Sequence, residues 1–176
     1  MENQFRVELL SIDWLATLPE EEDRCAHGKV LVVLGDTVLS DAQSSEWTVS
    51  AAALCLLRTL TGNHTLKAPV GDQLLPCCGF TMLPSPINDD VFICGCPNGV
   101  DWWVEHEQGA VRLTAPNDTS VLLPSAQYQK QVLGFADAVE QYYQRSKPKT
   151  IPADADDAAG YALFWTEWHR RRGQFQ

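Results

Sequence analysis

The sequence predicts an α+β fold: a largely antiparallel meander sheet packed against three helices, one central and two C-terminal, in a single domain spanning residues 1–176. Three observations predict it. Short β-rich runs separated by turn residues occupy the N-terminal third and the stretch 72–123. A block of helix formers interrupts them at residues 51–60. Two segments with apolar residues at helical spacing close the chain. Strands, helix, strands, helix, helix is the order of an α+β protein whose sheet is covered largely on one face.

The elements follow in order. Residues 6–12 (RVELLSI) read as a strand, and the acidic run 19–24 as a loop. Residues 29–34 (KVLVVL) form a compact apolar run, and Gly35-Asp36 turns the chain into Thr37-Val38-Leu39, which is a hairpin signal. Thr48 or Ser50 is placed to cap the first helix (51–60, AAALCLLRTL), in which Leu54, Leu57 and Leu60 share a face with Ala53. Gly62-Asn63 is expected to end it in a left-handed cap, and a helix this apolar is expected to lie against a sheet.

Strand candidates in the middle are 73–75, 81–83, 91–96, 100–106, 110–114 and 120–123. Asn98-Gly99 and Gln108-Gly109 predict tight hairpins, hence a meander. Residues 127–144 carry Val132, Phe135, Val139, Tyr142 and Tyr143 on a helical face. The last helix is expected to begin at Asp156 or Asp157. Its stripe of Tyr161, Phe164, Trp165 and Trp168 reads as core, and Arg170, Arg171 and Arg172 suit the dipole at its end. The proline-containing stretch 147–154 is the best hinge candidate, too short to separate domains.

Composition narrows the function. An apolar fraction of 45% and a charged fraction of 20% fit a folded globular chain. No apolar run nears the roughly 18 residues that cross a bilayer. The polar start has no hydrophobic signal core, and with six cysteines this predicts free thiols in a reducing cytoplasm. Thirteen basic residues face 23 acidic ones, for a net charge of −10, which repels nucleic acid and anionic lipid and attracts basic proteins. The excess lies upstream of Arg145, in clusters such as Glu20-Glu21-Glu22-Asp23 and Asp89-Asp90.

Three constellations carry chemistry. Cys25 and His27, with Cys94 and Cys96 on one strand face, offer four zinc ligands, although the spacing is not C-x2-C and buried core thiols are the ordinary alternative. Cys77 or Cys78, with His64 or His106 and Asp101, offers a Cys-His nucleophile. On a strand, Asp101, Trp103, Glu105 and Glu107 share one face, with Val100, Trp102, Val104 and His106 on the other. An aromatic ring flanked by carboxylates suits contact with a basic partner. Gly95-Cys96-Pro97-Asn98-Gly99 has no following helix and reads as a hairpin, not a phosphate loop.

The fragments Cys25-Ala26-His27-Gly28, Leu57-Arg58-Thr59-Leu60, Cys77-Cys78-Gly79-Phe80, Gly99-Val100-Asp101-Trp102 and Phe164-Trp165-Thr166-Glu167-Trp168 resemble segments of small single-domain bacterial proteins. The profile, small, acidic and without a catalytic signature, is similar to that of immunity proteins that neutralise bacterial toxins. This resemblance implies a basic toxin domain as partner and carries over no functional residue. The expectation is a non-catalytic cytoplasmic binding protein that uses no cofactor, no nucleic acid and no membrane. Asp101, Trp103, Glu105, Glu107, Asp89 and Asp90 form its partner surface. The alternatives are a small hydrolase, using a Cys-His nucleophile or a zinc site, and a self-associating structural protein.

Overall fold

A computed structural model describes residues 5–175. Its strands are β1 (Phe5–Leu9), β2 (His27–Gly28), β3 (Val30–Leu34), β4 (Thr37–Ser40), β5 (Trp47–Thr48), β6 (Thr81–Pro84), β7 (Val91–Cys94), β8 (Trp103–Glu107), β9 (Ala110–Thr114) and β10 (Ser120–Pro124). Its helices are α1 (Val49–Thr59), α2 (Ser125–Arg145) and α3 (Ala155–Arg172), followed by a short 3-10 turn, Gly173–Phe175. The architecture is α+β, and every strand pairing is antiparallel.

The strands divide into four small sheets, ordered β1-β3-β4, β10-β9-β8, β2-β5 and β6-β7. The hairpins at Gly35 and Gly109 form as the sequence predicts, with φ of 58° and 72°, a region where a side chain would be strained. Asn98-Gly99 does not close a hairpin. β7 folds back on β6, and residue 100 makes a bridge to Leu75 instead. The run 73–75 contributes only that bridge, because both its neighbours are loops.

α1 is buried on every side except at Arg58. It packs against α2 and α3 as well as β2 and β5, so it is a central helix and not simply a sheet cover. Burying Leu54, Leu56 and Leu57 supplies roughly 1.5–3 kcal/mol each, which fixes its position. Neither expected cap is made. The Thr48 hydroxyl donates to the Cys77 carbonyl at 3.0 Å, and Leu60 ends the helix in right-handed geometry. α3 is capped by Asp154, whose carboxylate accepts from the N–H groups of Asp156 and Asp157. Its aromatic stripe faces inward: Phe164 and Trp168 are fully buried, and Tyr161 and Trp165 pack against the same core.

The hinge candidate is strapped down. The Thr150 N–H donates to the Glu21 carbonyl at 2.7 Å, the Lys147 N–H to Glu20 Oε1 at 2.7 Å, and the Lys149 ammonium lies 3.1 Å from the Trp14 ring centroid. Lys147 also pairs with Glu21 at 3.3 Å, so the lysines after α2 offset part of the acidic loop's charge. Among the described residues, no helix is long and apolar enough to cross a membrane.

Candidate functional site

The middle of the chain brings together groups that lie far apart in sequence. Leu75 and residue 100 exchange two backbone hydrogen bonds, of 3.0 and 2.9 Å. This bridge sets residues 76–78 beside residues 96–99. The first strand of backbone is pinned to the start of α1, where the Thr48 N–H donates to the Pro76 carbonyl at 2.9 Å. Gly79 lies so close to this turn that a Cβ would stand 2.7 Å from the Ala51 methyl, so only glycine fits. The second is pinned by Asp72, which accepts the Gly95 N–H at 3.2 Å.

The result is a three-thiol group. The Sγ atoms of Cys77, Cys78 and Cys96 lie within 4.8 Å of one another, all partly exposed, and this is the only such cluster of potential metal ligands among the described residues. The thiols are unequal. The Asn98 backbone N–H, and then the Cys78 thiol, hold Cys96 below the ordinary thiol range. The hydrogen bond with Cys96, and then burial, push Cys78 up to about 11. The two thiols are thus shifted in opposite directions, Cys96 down and Cys78 up.

The four zinc ligands expected from sequence do not assemble. Cys25 is buried, donates to the Gly79 carbonyl at 3.5 Å, and is pushed up to about 12 by burial and by Asp23. His27 sits 4.0 Å from Asp23 instead. β7 stops at Cys94, so strand alternation no longer aligns Cys94 with Cys96, and Cys94 points to the neighbouring Gly95 carbonyl. Only Cys96 of the four joins the cluster.

The candidate histidines of the nucleophile reading make their hydrogen bonds elsewhere. His64 is fully buried, and its Nδ1 accepts the Val70 N–H at 3.0 Å. Nε2 therefore carries the proton and donates to Asp101, at 2.9 and 3.1 Å to the two oxygens. Both ring nitrogens are occupied, so His64 has none to offer a thiol. His106 donates from Nε2 to the Thr59 carbonyl at 2.7 Å.

The expected partner surface divides. Asp101 is only partly exposed: besides holding His64, it accepts the Leu74 N–H at 2.9 Å. Trp103 is half-buried and stacks on the His64 ring, 5.8 Å between centroids. Glu107 pairs with Arg112 at 2.6 Å. Asp90 binds Arg170, and Arg171 at 3.0 Å. Glu105 and Asp89 remain exposed and outside any ion pair among the described residues, but Glu105 lies on β8 and Asp89 in the loop between β6 and β7.

The structure adds two acids that sequence reasoning missed. The Thr37 and Thr119 hydroxyls hydrogen-bond at 2.8 Å, and Asn117 donates to Thr37 at 3.1 Å. The β3-β4 and β9-β10 turns therefore abut, and each presents an exposed aspartate, Asp36 and Asp118. Both turns are legible locally; their contact, 82 residues apart at the two threonines, is not.

No family model, curated protein or solved structure matches this chain.

Proposed function

We propose that this chain is a non-catalytic binding protein whose acidic surface engages a basic protein. The observation that carries the reading is the partition of charge. Arg58, Arg112, Lys147 and Arg170 to Arg172 are drawn into intramolecular pairs. Asp36, Glu46, Asp89, Glu105 and Asp118 stand exposed and outside any ion pair among the described residues. Lys67, Lys130 and Arg145 are also exposed and outside any ion pair among the described residues, but the acids outnumber them and the net charge is −10, so the field that reaches solvent is negative, with a joint acidic lip at the two abutting turns. Such a field accelerates encounter with a cationic surface and is screened over about 8 Å at physiological salt. The resemblance to immunity proteins makes a basic toxin domain the partner class, and six free thiols suit a reducing cytoplasm.

The test uses an arginine-rich peptide as cationic probe and two variants of equal net charge. Asp36→Asn, Glu105→Gln and Asp118→Asn together should slow association several-fold and flatten its salt dependence. Gln43→Lys, Gln141→Lys and Gln144→Lys together, all at exposed positions, should have a clearly smaller effect. Equal slowing in both would reduce the effect to bulk charge and remove support for a defined surface.

A further inference from the structure

We propose that Cys77, Cys78 and Cys96 bind a thiophilic d10 cation, of the zinc, cadmium or monovalent copper class, through three thiolates with a fourth position open. This site is independent of the acidic surface.

The geometry carries it. Sulfurs placed roughly 2.3 Å from a shared ion, in a three-coordinate arrangement, stand about 4 Å apart. The three Sγ atoms already lie within 4.8 Å of one another. They are delivered by two backbone segments held in place by other bonds: Thr48 fixes Pro76 and Cys77, and Asp72 with the Leu75 bridge fixes the loop of Cys96. The ligands are therefore brought close by the fold, without waiting for an ion. All three sulfurs are partly exposed, which leaves an entry path. Cys25 and Cys55, by contrast, are buried and inert.

The donor chemistry selects the class. Soft thiolates favour zinc and monovalent copper over magnesium or calcium, which take oxygen ligands. Three protein ligands leave a tetrahedral ion one further position, filled by water or an exogenous group. Cys78 and Gln73 line one small cavity of about 20 Å³. Gln73 Oε1 is buried and has no hydrogen-bond partner among the described residues. Binding replaces thiol protons, so one proton leaves for each thiol that was protonated.

Cadmium is the probe, because sulfur-to-cadmium charge transfer absorbs in the ultraviolet. The reduced full chain is titrated under anaerobic conditions with a phosphine reductant, and affinity is read by competition with a chelating dye. One cadmium per chain with a thiolate charge-transfer band is expected, and cadmium should displace zinc loaded first, because soft thiolates prefer the softer ion. Cys96→Ser, Cys78→Ser and Cys77→Ser should each weaken binding at least tenfold. Cys94→Ser, which removes an exposed thiol two residues away, should leave it unchanged. Circular dichroism verifies the fold of each variant. If a variant at the Cys77–Cys78 segment does not fold, Cys96→Ser decides, since Cys96 is followed by the exposed Pro97 and Asn98 and not by packed core. Substoichiometric binding, no charge-transfer band, equal loss in Cys94→Ser and Cys96→Ser, or a Cys78–Cys96 disulfide persisting in reductant would each overturn the proposal.

Discussion

Two clusters of reactive side chains border the same small cavity, Arg58 on one side and Cys78 on the other, and they are built oppositely. Around Arg58 every group has a partner. Glu167 is fully buried, and it accepts from Arg58 Nε at 2.7 Å and Nη2 at 2.8 Å, from Arg171 Nε at 2.6 Å and from the Val91 N–H at 3.0 Å. Arg58 also donates to the carbonyls of Val70 and Val91, at 2.8 and 2.6 Å. This network ties α1, α3, β7 and the loop before Asp72 into one unit. The thiol cluster faces solvent, and its sulfurs have chiefly each other. A buried charge must be fully partnered or the fold fails, whereas half-exposed thiols carry no such demand. The first cluster is structural; the second is available for a ligand.

Breaking the first cluster should give the largest effect. Glu167→Ala leaves Arg58 buried without its hydrogen-bonded counter-charge, and should cost about 3–5 kcal/mol in denaturant unfolding. Acid should do the same gradually. Burial pushes the Glu167 carboxyl up, but the hydrogen bonds and charge of Arg58, helped by Arg171 and the Val91 N–H, outweigh it and hold the group below its ordinary value. A carboxyl lowered in the folded state contributes stability above its unfolded pKa of about 4.3, and that contribution fades as pH falls through the folded value. Stability should therefore decline as pH falls below about 4.3, and Glu167→Gln should flatten that slope.

Asp101 sharpens the comparison. If it is an internal clamp, Asp101→Ala orphans the His64 and Leu74 N–H groups and should cost about 1–3 kcal/mol in unfolding. Were it a partner-binding residue alone, stability would not change. At the thiols, Cys96→Ser should leave the unfolding midpoint in place while removing the cadmium site. A large destabilisation there would put the cluster in the same structural class as Glu167.

Local features of this fold are legible in the sequence, and long-range ones are not. The glycine turns at Gly35 and Gly109, the helix-forming block at 51–60 and the aromatic stripe of α3 are set within a few residues, and each forms where expected. Glu167 lies next to that buried stripe, and its burial depends on an arginine 109 residues away. The meeting of Cys77 and Cys78 with Cys96 depends on β7 ending at Cys94 and on the Leu75 bridge, neither of which any local pattern encodes. Alternation placed Asp101 and Trp103 on one outward face. A buried histidine that needs a carboxylate acceptor drew Asp101 inward and stacked beneath Trp103, leaving Glu105 and Glu107 as the outward members.

The most direct measurement sets one acid from each class side by side. Asp90→Asn and Glu105→Gln change net charge equally, and each is assayed both for unfolding and for association rate with the arginine-rich peptide at low and high salt. Asp90 holds Arg170 and Arg171, so its variant should lose stability and keep the association rate. Glu105 is exposed and outside any ion pair, so its variant should keep stability and associate more slowly, the difference vanishing in high salt. The opposite assignment, or two variants that behave alike in both assays, would contradict the division of inward-facing from outward-facing charge on which this reading rests.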